Sequence, residues 1–246
     1  MRILVCKPDE VFQGPLILVN REHPLCGTDC LTLIPVDAGR TVLLERRAAL
    51  LLQACIRDVG GNREIVPVSG WRSQEDQSEI WEQTMAEHGE AFTRKYVALP
   101  GCSEHQSGLA IDLGRAAPYI DLIRPAFSYD GVCGAFRRAA ARYGFVERYA
   151  RGKEDVTGIA YEPWHFRYVG APHAQILLDN NLCLEEYVDF LRAGPRTCLL
   201  PGRRMAQVFY VPCHGKETLI EVPEGCCQVS GDNRSGFIVT AWGRVA

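Results

Sequence analysis

Gly101-Cys102-Ser103-Glu104-His105-Gln106-Ser107-Gly108-Leu109-Ala110-Ile111-Asp112 is the stretch from which the rest of the chain can be ordered. Its apolar end, 109–113, reads as a short strand, and Gly108 just before it is a natural bend. His105 and Asp112 stand seven residues apart with that glycine between them. A loop that turns into a strand at the glycine can aim an imidazole and a carboxylate at one point.

Two other segments carry matching chemistry. Glu162-Pro163-Trp164-His165-Phe166-Arg167-Tyr168-Val169-Gly170 alternates aromatic and polar residues, the period of a half-buried strand. His165 would share a face with Arg167 and Val169, with Glu162 where the chain enters the strand. Trp164, Phe166 and Tyr168 would pack on the other face. Ser69-Gly70-Trp71-Arg72-Ser73 reads as a strand end followed by a helix start. Catalytic zinc takes three protein ligands and leaves one position for water. His105, Asp112 and His165 would supply two imidazoles and a carboxylate to one Zn2+. Glu162 would then be the base that takes the water proton and passes it to the leaving amine. Arg72 would stabilise the oxyanion. Each residue has a plainer reading: a strand cap for Asp112, a loop carboxylate for Glu162, a surface ion pair for Arg72. The joint spacing favours the site.

Together these segments resemble the zinc D-alanyl-D-alanine peptidases of the VanX, VanY and VanXY group. The pattern Ser-x-His-x-x-Gly-x-Ala-x-Asp is met at Ser103, His105, Gly108, Ala110 and Asp112, and Glu-x-Trp-His at Glu162, Trp164 and His165. The upstream Gly-Tyr-Arg is met at Gly70 and Arg72, with Trp71 where the family has tyrosine. The likeness spans 19–190, includes Val97-Ala98-Leu99-Pro100 and Tyr143-Gly144-Phe145, and is nearest to the bifunctional VanXY type. It implies zinc on His105, Asp112 and His165, a base at Glu162, oxyanion support from Arg72, and pocket positions for Gln77 and Ser103. Trp71 and Ser69 fall at further substrate-side positions. Some bifunctional members have aspartate where Ser69 stands, and a serine cannot pair with the free amine of a dipeptide. The resemblance therefore implies a D,D-carboxypeptidase first and a D,D-dipeptidase second. Its substrates would be peptidoglycan precursors ending in D-Ala-D-Ala or D-Ala-D-Ser, and trimming them would confer vancomycin resistance. The implied fold is α+β: a mainly antiparallel sheet lining the zinc cleft, with helices packed on its other face. An endolysin-type peptidoglycan endopeptidase has similar motifs but would need access to assembled wall, and no wall-binding repeat is visible. A non-catalytic zinc-containing module that binds wall peptides is the other alternative, and the presence of Glu162 argues against it.

The remaining sequence fits this frame. A chain of 246 residues can bury a core without staples, and its net charge of -3 with no basic block argues against nucleic acid. Apolar runs are too short to span a bilayer, and residues 1–10 lack the apolar core of a signal peptide, so a cytoplasmic protein is expected. The 11 cysteines are scattered, many in apolar runs, as small buried hydrophobes would be. Neither Cys26 with Cys30 nor the group Cys213, His214, Cys226 and Cys227 has the spacing of a common zinc knuckle. Strands are expected over 2–6, 16–20, 32–36 and 64–69, and helices over 43–59, 74–87, 90–97 and 184–192. Ser73 with Asp76 has the form of a capping box. After the breakers Gly194-Pro195 and Pro201-Gly202 the pattern turns to β. The expected division is a zinc D,D-peptidase domain over 1–200 and a small β appendage of unknown role over 203–246.

Overall fold

The computed structural model describes residues 1–27 and 31–244. In chain order its strands are β1 (Arg2–Cys6), β2 (Leu33–Pro35), β3 (Leu43–Glu45), β4 (Ile65–Ser69), β5 (Ala110–Arg115), β6 (Phe145–Tyr149), β7 (Glu162–Tyr168), β8 (Arg196–Leu200), β9 (Arg204–Pro212), β10 (Thr218–Val222), β11 (Cys227–Gly231) and β12 (Gly236–Arg244). Its helices are α1 (Arg46–Asp58), α2 (Gln74–His88), α3 (Glu90–Tyr96), α4 (Gly131–Ala140), α5 (Glu154–Thr157), α6 (Ala171–Asp179) and α7 (Leu184–Arg192). This is the expected α+β mixture. Contacts group the chain into two compact units, Val19–Ala174 and Met1–Leu18 with Gln175–Ala246.

The central unit is built on an antiparallel sheet in the order β4-β5-β7-β6. Strand alternation sorts its residues by chemistry. Ile111 and Leu113 of β5, and Trp164, Phe166 and Tyr168 of β7, join Leu52 and Cys55 of α1 and Phe136 and Ala139 of α4 in one apolar cluster. Asp112, His165 and Arg167, in the opposite phase, lie on the other face and are also buried. Phe127, Phe136 and Phe166 meet edge to face, with centroids 5.1 to 5.8 Å apart. Phe166 therefore locks the helical layer onto the strand that carries His165. Phe166→Ala is expected to cost about 3–5 kcal/mol of unfolding free energy in urea titration. A loss below about 1 kcal/mol would contradict this packing role.

Two bulges interrupt the alternation, and both lie beside the polar face. The β4–β5 register shifts between Pro67 and Ser69, which brings Ser69 opposite Asp112. The β6–β7 register shifts between Glu147 and Tyr149, where Tyr149 pairs with Glu162. A strict period of two would put Glu162 with Trp164 and Phe166 on the core face; a bulge re-aims it.

The sequence expectations need three adjustments. The helix over 43–59 begins only at Arg46, because Leu43–Glu45 pairs with β2 and Glu45 caps α1 by accepting from Arg47 N at 2.8 Å and Ala48 N at 3.1 Å. The run 16–20 is not a strand. Leu16 N instead donates to Ser230 Oγ (3.0 Å), Leu18 N to Asp232 O (3.1 Å), and Leu18 O accepts from Asn233 Nδ2 (2.8 Å). Strands β6 and β8 were not foreseen. The capping box at Ser73 and Asp76 forms as read, with both bonds 3.0 Å.

The second unit contains the sheet β11-β12-β9-β8 and the pair β1-β10. Cys6, Val11, Ile220, Val222, Phe237 and Val239 form its apolar cluster. Both β8 and β1 lie outside 203–246, so the boundary drawn from composition differs from the one drawn by contacts. The breaker Pro201-Gly202 is a turn within this sheet, between β8 and β9.

Candidate active site

The polar face of the central sheet gathers the residues quoted at the outset. Asp112 and His165 are direct cross-strand partners on β5 and β7. His105 stands on a short 3-10 turn, Glu104–Ser107, which Gly108 ends with φ +70. A Cβ on Gly108 would come within 3.1 Å of Leu33 Cδ2 and 3.3 Å of the Glu45 nitrogen, so both conformation and space call for glycine there. The resulting turn drops His105 beside the other two.

His165 Nδ1 is 2.9 Å from Asp112 Oδ1, and His105 Nε2 is 3.3 Å from Asp112 Oδ2. One ligand atom from each of His105, Asp112 and His165 lies within 4.8 Å of the others, the only such trio among the described residues. Donors about 2.0–2.2 Å from one tetrahedral zinc stand roughly 3.3 Å apart, so the set fits that ion. Tautomer chemistry agrees. His105 Nδ1 is 2.7 Å from the Gly70 carbonyl, which can only accept, so the proton sits on Nδ1 and Nε2 keeps its lone pair. The cysteine groups assemble no such trio among the described residues, and Cys30 lies outside them.

Glu162 Oε2 is 3.8 Å from His165 Nδ1. Burial lifts its carboxyl to about 8; His165 and Arg72 pull downward, while Asp112 and Glu104 push further up. Burial works against ionised Asp112 as well, yet His105 and His165 hold it well below the usual carboxylate range. For His105, burial and then Arg72 depress the pKa, which favours the neutral imidazole a metal needs.

These groups line a cavity of about 380 Å³ that includes Ser69, Arg72, Ser103, His105, Asp112, Glu162 and His165. Trp71 and Gln77 lie off it. Trp71 borders a separate cavity of about 170 Å³. Gln77 is fully buried, giving Nε2 to the Ala98 carbonyl (2.9 Å) and accepting Arg72 Nη1 (3.3 Å). Ser69 Oγ accepts two bonds from Arg72, from Nε at 3.0 Å and Nη2 at 2.8 Å. Sequence reasoning missed Glu104, which also lines the cavity. Its one signal was an acidic residue inside a turn between two site residues.

The family model described as VanY, D-alanyl-D-alanine carboxypeptidase, matches residues 43–171. The bifunctional D-Ala-D-Ala dipeptidase and D-Ala-D-Ala carboxypeptidase VanXYC of Enterococcus gallinarum is 42% identical over 180 residues, 72% of this chain and 94% of its own length. The vancomycin resistance D,D-dipeptidase VanXYg, solved with a D-Ala-D-Ala phosphinate analog, is 46% identical with a TM-score of 0.95 over 98% of this chain and 99% of its own. That likeness reaches beyond 19–190, so the C-terminal sheets are shared with VanXYg and are not peculiar to this chain. A D,D-pentapeptidase VanY mutant from a VanB-type cassette, in complex with Zn(II), is 30% identical with a TM-score of 0.61, over 71% of this chain and 98% of its own. With these matches and the site they frame, the chain belongs to the VanY family of D-alanyl-D-alanine carboxypeptidases.

Proposed function

We propose that this chain is a D,D-carboxypeptidase that releases D-alanine from peptidoglycan precursor peptides ending in D-Ala-D-Ala, using one Zn2+ held by His105, Asp112 and His165. The observation that carries the reading is the buried His-Asp-His trio with Glu162 3.8 Å from His165 Nδ1 in a single cavity. When bound, zinc supplies Lewis acidity that polarises the scissile carbonyl and makes water a better nucleophile. Glu162 Oε2 takes the proton of the attacking water and delivers it to the departing D-alanine nitrogen. The Arg72 guanidinium meets the charge that develops on the carbonyl oxygen. Ser103 lines the wall against which the substrate lies. Trp71 and Gln77, off the cavity, act on substrate only through Arg72 and the surrounding loop.

The names of VanXYC and VanXYg support dipeptidase activity as a second capacity of the same site. It is expected to be the weaker one here, because the Ser69 hydroxyl is engaged by Arg72 and offers no negative charge to a free amine. Precursors ending in D-Ala-D-Ser fit the same chemistry. Among the described residues no helix is long and apolar enough to cross a membrane, and we place the reaction in the cytoplasm, on precursors before export.

Zinc-loaded protein incubated with UDP-linked muramyl pentapeptide is expected to release D-alanine, more efficiently than from the free dipeptide. Chelation should abolish release and added Zn2+ restore it. Silence on both substrates by zinc-replete protein would overturn the proposal, and solubilisation of purified sacculi would favour the endopeptidase alternative.

A further inference from the structure

Glu104 carries a carboxylate whose side chain is wholly shielded from solvent. A buried charge must be paired or it costs several kcal/mol. Glu104 Oε1 meets Arg148 Nε at 2.8 Å and Arg167 Nη1 at 2.9 Å. Both arginines are themselves buried, and both meet the same carboxylate oxygen. They outweigh the effect of burial and keep Glu104 ionised. Among the described residues the other oxygen, Oε2, has no hydrogen bond of ordinary length, nor has His165 Nε2, and these two atoms stand 3.5 Å apart.

A neutral imidazole carries one N–H and one lone pair, and the acceptor behind it decides which nitrogen keeps the proton. For His105 that acceptor is the Gly70 carbonyl, at Nδ1. For His165 the group behind Nε2 is the Glu104 carboxylate, while Nδ1 faces Asp112 at 2.9 Å. The Tyr149 ring, 4.8 Å from the His165 ring, restricts rotation that would exchange the two nitrogens.

We propose that Glu104 is a positioning residue: its Oε2 holds the proton on His165 Nε2, so that His165 presents the Nδ1 lone pair to the cation, and Arg148 and Arg167 anchor the carboxylate in that place. The two histidines then serve through opposite nitrogens, each set by its own acceptor. This rests on the zinc reading above and adds to it the device that fixes one ligand.

Glu104→Gln preserves shape but reverses the sign of the contact. With its oxygen toward the arginines, the amide NH2 faces Nε2, which must then accept; the proton moves to Nδ1 and the ligand is lost. Loss of such an outer partner weakens metal binding about 10–100-fold. The test measures zinc dissociation constants by chelator competition on parent and Glu104→Gln protein, and records long-range 1H–15N spectra of 15N-histidine-labelled parent holoenzyme. The expected result is a 10–100-fold rise in the constant for the variant, with His165 protonated at Nε2 in the parent. Equal zinc affinity in the folded variant, or a parent spectrum with the proton absent from Nε2, would overturn the proposal. If the variant does not fold, the parent spectrum alone decides. A parent chain that takes up no zinc overturns the functional reading and this one together. Zinc uptake with the wrong tautomer overturns this one alone.

Discussion

Replacing Glu162 with Ala is expected to lower D-alanine release by about 10²–10⁴-fold while leaving zinc bound. The two outcomes separate because Glu162 is beside the ligand trio and not in it. Its Oε2 is 3.8 Å from His165 Nδ1, whereas Asp112 makes the 2.9 and 3.3 Å contacts to the histidines. Removing it deletes the proton acceptor and leaves all three donors. Burial raises its carboxyl to about 8, against the pull of His165 and Arg72. A cation bound nearby adds to that pull. A base must be ionised, so kcat/KM should rise with pH through a limb above the ordinary carboxylate range and below 8. The residual rate of Glu162→Gln should lack that limb. D-alanine release assays with metal analysis on the same samples check both points. Near-parental turnover in Glu162→Ala would remove the assignment of the base.

Much of this site is legible in the sequence because strand alternation writes it there. Ile111 and Leu113 flank Asp112, and Trp164, Phe166 and Tyr168 bracket His165 and Arg167. The apolar partners fill the core and leave the polar ones on one face. What alternation cannot carry is a change of phase. The bulges that bring Ser69 opposite Asp112 and turn Glu162 toward His165 are marked only by the strand prolines Pro67 and Pro163, which do not say how the phase shifts. Strand β6 escaped for a related reason. Phe-Val-Glu-Arg-Tyr holds two adjacent charges, and the buried Arg148 is met by Glu104, 44 residues earlier. Trp71 and Gln77 show the limit of motif matching. A position in a pattern does not say whether a side chain reaches the cavity: Gln77 stops at Arg72, and Trp71 borders a separate cavity.

Arg72→Lys should reduce kcat by about 10²–10³-fold, with a smaller change in KM and zinc retained. The guanidinium is held by three neighbours. Ser69 Oγ accepts from Nε and Nη2, Gln77 Oε1 accepts from Nη1 at 3.3 Å, and Asp112 Oδ2 lies 3.3 Å from Nη2. Such a grip fixes the plane of the fork, and with it the direction of the donors offered to a developing oxyanion. A lysine supplies the same charge as a point on a flexible stem and cannot use the Ser69 and Gln77 contacts together. If charge alone mattered, lysine would suffice. If orientation matters, Arg72→Lys should fail nearly as badly as Arg72→Met, and Ser69→Ala should show a milder loss of the same kind, in kcat more than in KM. The effect belongs in kcat because the charge on the carbonyl oxygen exists only as the bond is attacked. A lysine variant within threefold of the parent kcat would show that the clamp built by Ser69 and Gln77 has no part in catalysis.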